Sequence, residues 1–183
     1  LAFGVVLSGM EWHQRLCRLR WLLFDVDGVL TDGRLWYTPK GEEVKPFHAR
    51  DGLALKLAQR VGLKVGVFSG RTSLPLERRA RDLGLDEVIL GSKDKRVDLA
   101  AFLERTGADP ATVAFTGDDL IDLPALARCG VGFCPRDAAP EVQATVDKVI
   151  DVAGGHGVAR AVIEEILKAR GEWQAIVDRY AEP

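Results

Sequence analysis

The sequence predicts an α/β fold: a Rossmann-like, doubly wound, mostly parallel sheet with helices on both faces. Two observations lead there. Short apolar runs alternate with segments of helical period along nearly the whole chain. Acidic, hydroxyl and basic residues recur where the apolar runs stop, and in open α/β sheets that edge binds ligands. A length of 183 residues, 47% of them hydrophobic, allows one domain with a sizeable core, so residues 1–183 are read as a single domain.

The elements follow in order. An N-terminal extension and helix occupy 1–18. Trp21-Leu22-Leu23-Phe24 is a buried strand at about 20–25. Residues 34–48 depart from the βα rhythm: two β-prone runs flank Pro39-Lys40-Gly41, which predicts a β-hairpin flap over the preceding loop. Further strands are expected near 63–68, 87–90, 112–116, 130–133 and 147–149. Helices are expected near 52–61, 72–82, 94–105, 119–127 and 156–169. Leu53, Leu55, Leu57 and Ala58 lie on the first of these helices, and Val162, Ile163, Ile166 and Leu167 form a stripe on the last. The tail 171–183 sets Trp173, Ile176, Val177 and Tyr180 at helical spacing and is expected to pack onto something.

Composition narrows the function classes. A net charge of −2 gives no footprint for nucleic acid or an anionic membrane, so neither partner is expected. The apolar opening Leu1–Leu7 lacks a basic flank and is not expected to be a signal peptide. Met10 is the only methionine and competes with Leu1 as the start. Cys17, Cys129 and Cys134 form no paired motif, which points to a reducing, cytoplasmic setting without zinc.

The chemistry sits at the strand ends. Asp25 and Asp27 follow the first strand at i and i+2, and clustered carboxylates invite a divalent cation. Ser69 and Gly70 follow the second long apolar run, where a hydroxyl and backbone N–H groups can meet a phosphate. Lys93 and Lys95 supply cations after Val88-Ile89-Leu90. Gly117-Asp118-Asp119 with Asp122 forms a second acidic cluster. Singly, these features read as a turn, a solvated lysine or a helix cap. Their ordered combination is the informative signal.

That order resembles the haloacid dehalogenase superfamily of phosphohydrolases, through Asp25-Val26-Asp27-Gly28-Val29-Leu30-Thr31, Ser69, Lys95, and Gly117-Asp118-Asp119 with Asp122. The resemblance implies that Asp25 attacks phosphorus and that Asp27 is the general acid and then base. It implies Mg²⁺ held by Asp25, the Asp27 main-chain carbonyl and Asp118, and phosphate held by Ser69, Gly70 and Lys95. Asp119 and Asp122 would orient Lys95 or the Asp118 loop. The gaps from Asp27 to Ser69 and from Ser69 to Lys95 hold no room for a cap domain, so a capless member is expected.

Within that group the chain looks like the phosphatases of 3-deoxy-D-manno-octulosonate 8-phosphate, whose motifs match Phe47-His48-Ala49-Arg50-Asp51-Gly52 and Gly154-Gly155-His156-Gly157-Val158-Ala159-Arg160 as well. The implied substrate is a phosphorylated sugar acid, and the implied assembly a homotetramer whose neighbours complete each site. Arg50, Arg71, Arg79 and Arg160 are the candidates for the substrate carboxylate, because a guanidinium matches its fork. A nonulosonic acid 9-phosphate, a broad range of small phosphoesters, and a non-catalytic oligomeric role remain alternatives.

Overall fold

The computed structural model describes residues 11–182. The choice between Leu1 and Met10 as the start lies outside them. A six-stranded, wholly parallel sheet forms the centre, in the order β5-β4-β1-β6-β7-β8. These strands are β1 (Trp21–Phe24), β4 (Lys64–Phe68), β5 (Glu87–Ile89), β6 (Val113–Thr116), β7 (Val131–Pro135) and β8 (Lys148–Ile150). The predicted strands all appear.

Side chains alternate across the sheet, as the pleat requires. From β1, Leu22 and Phe24 enter one core and Trp21 and Leu23 the other. The first core lies beneath α1 (Trp12–Arg18), α2 (Ala49–Arg60), α3 (Leu74–Leu83) and α7 (Val158–Ala169). The second lies beneath α4 (Lys95–Thr106), α5 (Leu123–Leu126) and α6 (Pro140–Gln143). Edge-to-face rings fill the second, with Trp21 and Phe102 centroids 4.8 Å apart.

Local chemistry sets the helix ends. Ser73 caps α3 through the Leu76 N–H, and Gly84 ends it in the left-handed conformation. Asp94 caps α4 through the Arg96 N–H. α2 starts three residues earlier than the 52–61 expectation, because His48 Nδ1 accepts from the Arg50 N–H at 3.2 Å. The tail forms α8 (Trp173–Ala181), with Trp173 and Ile176 against the first core while Val177 and Tyr180 stay exposed.

One expectation needs correction. The single helix read over 119–127 is a 3-10 turn at Leu120–Asp122 followed by the four-residue α5. Asp122 causes the break, because its carboxylate turns back to accept from the Asp118 and Asp119 N–H groups. The hairpin is present but brief: β2 (Trp36–Tyr37) pairs antiparallel with β3 (Glu43–Val44), two residues each.

β1 lies between β4 and β6, with the chain running outward to either side. The carboxyl ends of these three strands therefore border the topological switch point, where ligands bind in such sheets. A second loop buttresses this edge. The Gly155 N–H donates to the Val29 carbonyl at 3.0 Å, and the Gly154 N–H donates to Asp137 at 2.9 Å. A Cβ on Gly154 would lie 2.1 Å from the Gly28 carbonyl oxygen. Gly154→Ala should therefore displace the loop after β1 and cost about 1–3 kcal/mol, read as a lowered denaturant midpoint. An unchanged midpoint would show that this loop tolerates separation from the sheet edge.

Candidate active site

The site is built on the loop that follows β1. The Asp25 N–H still bonds the Thr116 carbonyl at 2.8 Å, so the carboxylate leaves from the last rung of the sheet. The Val26 carbonyl then accepts from the Leu30 and Thr31 N–H groups at 2.9 and 3.0 Å, closing a tight turn. Gly28 makes that turn possible at φ +93°. A Cβ there would fall 2.0 Å from Asp118 Oδ2, so glycine also makes room for the facing carboxylate.

Lys95, at the first position of α4, reaches back beneath the sheet edge. Its ammonium bonds both the Asp25 and the Asp122 carboxylates, and all three side chains are almost wholly buried. Asp122 divides its oxygens: Oδ1 meets Lys95, and Oδ2 accepts from the Asp118 and Asp119 N–H groups at 2.9 and 3.2 Å. Asp119 caps the turn through the Leu120 N–H at 2.7 Å. Asp122 thus orients both Lys95 and the Asp118 loop.

Ser69 directly follows β4 with 1% exposure, and its hydroxyl oxygen accepts from the Arg71 N–H at 3.2 Å. Asp25, Asp27, Gly70, Arg71, Asp118 and Asp119 line one open cleft of about 310 Å³, together with Gly33, Leu35 and Ile121.

Electrostatics mark the cleft as a cation site. Oxygens of Asp25, Asp118 and Asp122 lie within 4.8 Å of one another. Three carboxylates face one ammonium, which leaves the charge of a divalent ion to be matched. Burial pushes the Asp118 carboxyl up to about 7, with help from the nearby Asp122 and Asp119 charges. Burial and Asp122 also raise Asp25, against the pull of Lys95. Because Asp122 is already committed to Lys95 and two N–H groups, Asp25 and Asp118 are the side chains left to face an ion. Hard oxygen donors in an acidic cleft fit Mg²⁺.

The structure brings together Asp25, Asp27, Ser69, Gly70, Lys95, Asp118, Asp119 and Asp122 at one edge. Of the four candidate arginines, Arg71 alone lines the cleft. Arg50 is exposed at the start of α2. Arg79 packs against Gly52 with its guanidinium 6.0 Å from the Phe47 ring centre, in a separate pocket beneath α2. Arg160 stacks on Trp173 at 4.7 Å and pairs with Glu164 at 3.2 Å.

The sequence reading gave the hairpin's polar residues no role at the site. Lys45 contacts the Asp27 carboxylate and lies 3.5 Å from Glu43. Glu43 accepts from Arg71 at 3.1 Å and from the Ser73 hydroxyl, while Arg71 also donates to the Tyr37 hydroxyl at 3.0 Å. The clustering of Glu42, Glu43 and Lys45 just beyond the acidic loop was the available signal.

Comparison with known proteins places the chain in a family. Residues 47–130 match the family model of haloacid dehalogenase-like hydrolases. The chain is 41% identical to the 3-deoxy-D-manno-octulosonate 8-phosphate phosphatase of Haemophilus influenzae over 160 residues, covering 87% of this chain and 89% of that one. It is 36% identical to the Escherichia coli K12 enzyme of the same name, covering 84% and 82%. A Moraxella catarrhalis phosphatase of that name, solved with magnesium, phosphate and KDO, superposes with a TM-score of 0.89 at 33% identity, covering 92% and 97%. The cobalt-bound Haemophilus influenzae enzyme gives a TM-score of 0.85 at 40% identity, covering 88% and 95%. With its capless sheet and acidic cleft, the chain belongs to the 3-deoxy-D-manno-octulosonate 8-phosphate phosphatase family of haloacid dehalogenase-like hydrolases.

Proposed function

We propose that this protein is a Mg²⁺-dependent phosphatase that hydrolyses 3-deoxy-D-manno-octulosonate 8-phosphate to the free sugar acid and phosphate, a step in lipopolysaccharide sugar synthesis. The observation that carries this reading is the buried Asp25–Lys95–Asp122 unit, whose Asp25 lines an acidic cleft, in a chain of this family.

Asp25 is the nucleophile. Its oxygen attacks phosphorus, the ester bond breaks, and an aspartyl-phosphate forms. Asp27 donates a proton to the departing alkoxide and later takes one from the hydrolytic water. Lys95 holds Asp25 and meets negative charge on the phosphoryl oxygens, while Ser69 and the Gly70 N–H bind those oxygens. Mg²⁺, held by Asp25, Asp118 and the Asp27 main-chain carbonyl, would neutralise charge so that an anionic nucleophile can approach an anionic phosphate. Arg71 is the candidate of choice for the substrate carboxylate, because it lines the same cleft as Asp25 and Asp27.

One domain over residues 1–183 carries the activity, with 1–18 and 171–183 as its flanking segments. The protein works as a homotetramer in the cytoplasm. The hairpin supports self-association: Leu35, Trp36, Tyr37 and Val44 are each about half exposed beside the open cleft. A neighbouring chain would cover both. Arg50 and Arg160 are then candidates for a neighbour's site, whereas the packing of Arg79 beneath α2 favours a structural role. The three free thiols suit a reducing compartment.

Phosphate release from 3-deoxy-D-manno-octulosonate 8-phosphate should exceed that from N-acetylneuraminate 9-phosphate, and chelation should abolish both. Asp25→Asn should lower turnover by roughly 10³-fold or more. A preference for the nine-carbon acid would move the substrate assignment and keep the mechanism; full turnover in Asp25→Asn would remove the nucleophile.

Mg²⁺ and protons compete for Asp118. Its folded pKa of about 7 lies above the ordinary carboxylate value, so below that pH the group holds a proton and metal binding must displace it. In metal-free protein, this group's charge costs stability as pH rises from the ordinary carboxylate range towards 7. The rise in thermal midpoint on adding Mg²⁺ should therefore be larger at about pH 8 than at about pH 5.5. A rise independent of pH, measured by calorimetry, would count against Asp118 as a ligand.

A further inference from the structure

We propose that Lys45, carried by the hairpin, is a positioning residue that fixes the Asp27 carboxylate for proton transfer to the leaving group. The proposal rests on the reading of Asp27 as acid and base.

Lys45 is unlike the strands that deliver it. Trp36, Tyr37 and Val44 are about half exposed, yet the Lys45 side chain is only 4% exposed. Its ammonium meets Asp27 Oδ1 and lies 3.5 Å from Glu43 Oε1. Among the described residues, no other side chain hydrogen-bonds the Asp27 carboxylate. The support is itself held: Glu43 takes the Ser73 hydroxyl at the N-cap of α3, and Arg71 joins Glu43 to the Tyr37 hydroxyl. The hairpin is thus fastened to the segment that joins β4 to α3.

An aspartate carboxylate turns about two side-chain bonds and has several low-energy rotamers. Proton transfer needs one oxygen within about 2.6–3.2 Å of the leaving oxygen. A buried ammonium fixed on Oδ1 selects among those rotamers and leaves Oδ2 unengaged. When the phosphorus–oxygen ester bond breaks, its electron pair stays on the bridging oxygen and the proton on Oδ2 passes to it. Lys45 exchanges no proton and makes no bond to phosphorus; it determines where Oδ2 stands.

The test is leaving-group dependence. Phenyl phosphate and p-nitrophenyl phosphate are close in shape and carry no carboxylate, so loss of a carboxylate contact affects neither. Phenolate is the more basic leaving group and gains more from protonation. kcat/KM, which covers steps up to expulsion of the leaving group, is measured for both esters with the Mg²⁺-loaded wild type, Lys45→Met, Lys45→Arg and Asp27→Asn. Lys45→Met should lose about tenfold or more on the phenyl ester and less than about threefold on the nitrophenyl ester. Lys45→Arg should recover most of the phenyl activity. Asp27→Asn should show the same selectivity, more strongly. Equal losses on both esters in Lys45→Met, with Asp27→Asn selective, would overturn the role of Lys45 and leave Asp27 in place. An Asp27→Asn variant without selectivity would remove the acid reading beneath it. Thermal midpoints of each variant separate either result from misfolding.

Discussion

A fully buried carboxylate, Asp122, is the constraint on which the site depends. It shares one ammonium with Asp25 and takes two main-chain N–H groups with its other oxygen. Burying a charge is unfavourable unless it is paired and its lone pairs are met, and here both conditions hold. Loss of one partner from such a unit costs about 3–5 kcal/mol, because the remaining charge stays buried. The same contact fixes Asp25 through Lys95 and the Asp118 loop through the backbone. Position and charge at the cleft are therefore set together.

The main outline could be read from the sequence because most of the candidate site residues follow strand ends. Asp25, Ser69 and Gly117-Asp118 follow β1, β4 and β6 directly, so an apolar run followed by a polar motif located them. Lys45 could not be found that way. It follows a two-residue strand and reads as a solvated lysine; only the folding of the hairpin over the loop brings it to Asp27. The four arginines were equivalent as sequence, and packing separates them: Arg71 faces the cleft, whereas Arg79 and Arg160 rest on aromatic rings elsewhere. Helical periodicity over 119–127 was overridden by one tertiary demand, the inward turn of Asp122.

Asp51 carries a second long-range link. Its Oδ1 accepts from the Arg160 N–H at 2.7 Å across 109 positions, joining the start of α2 to the start of α7. Burial raises its pKa against that hydrogen bond. The motif Arg50-Asp51-Gly52 therefore contributes a buried clasp between helices. Gly52 permits the close approach of Arg79 on the other side. The glycine-rich segment before α7 is held against the loop after β1, so the clasp and the cleft share one support.

The strand order has a consequence for how the chain comes together. β1 is made early but sits at the middle of the sheet, paired on one side to β4 and on the other to β6. A nascent chain that has not yet reached Thr116 carries Trp21–Phe24 with one edge unpaired and no partner for the Asp25 N–H. Parallel pairings at such separation close slowly, because the loop entropy is spent before the contacts form. Asp25, Lys95 and the Asp118 loop can therefore meet only after about two-thirds of the chain has been synthesised. Shorter fragments present an apolar edge and no assembled site, so completion of the cleft and protection of that edge arrive in the same folding event.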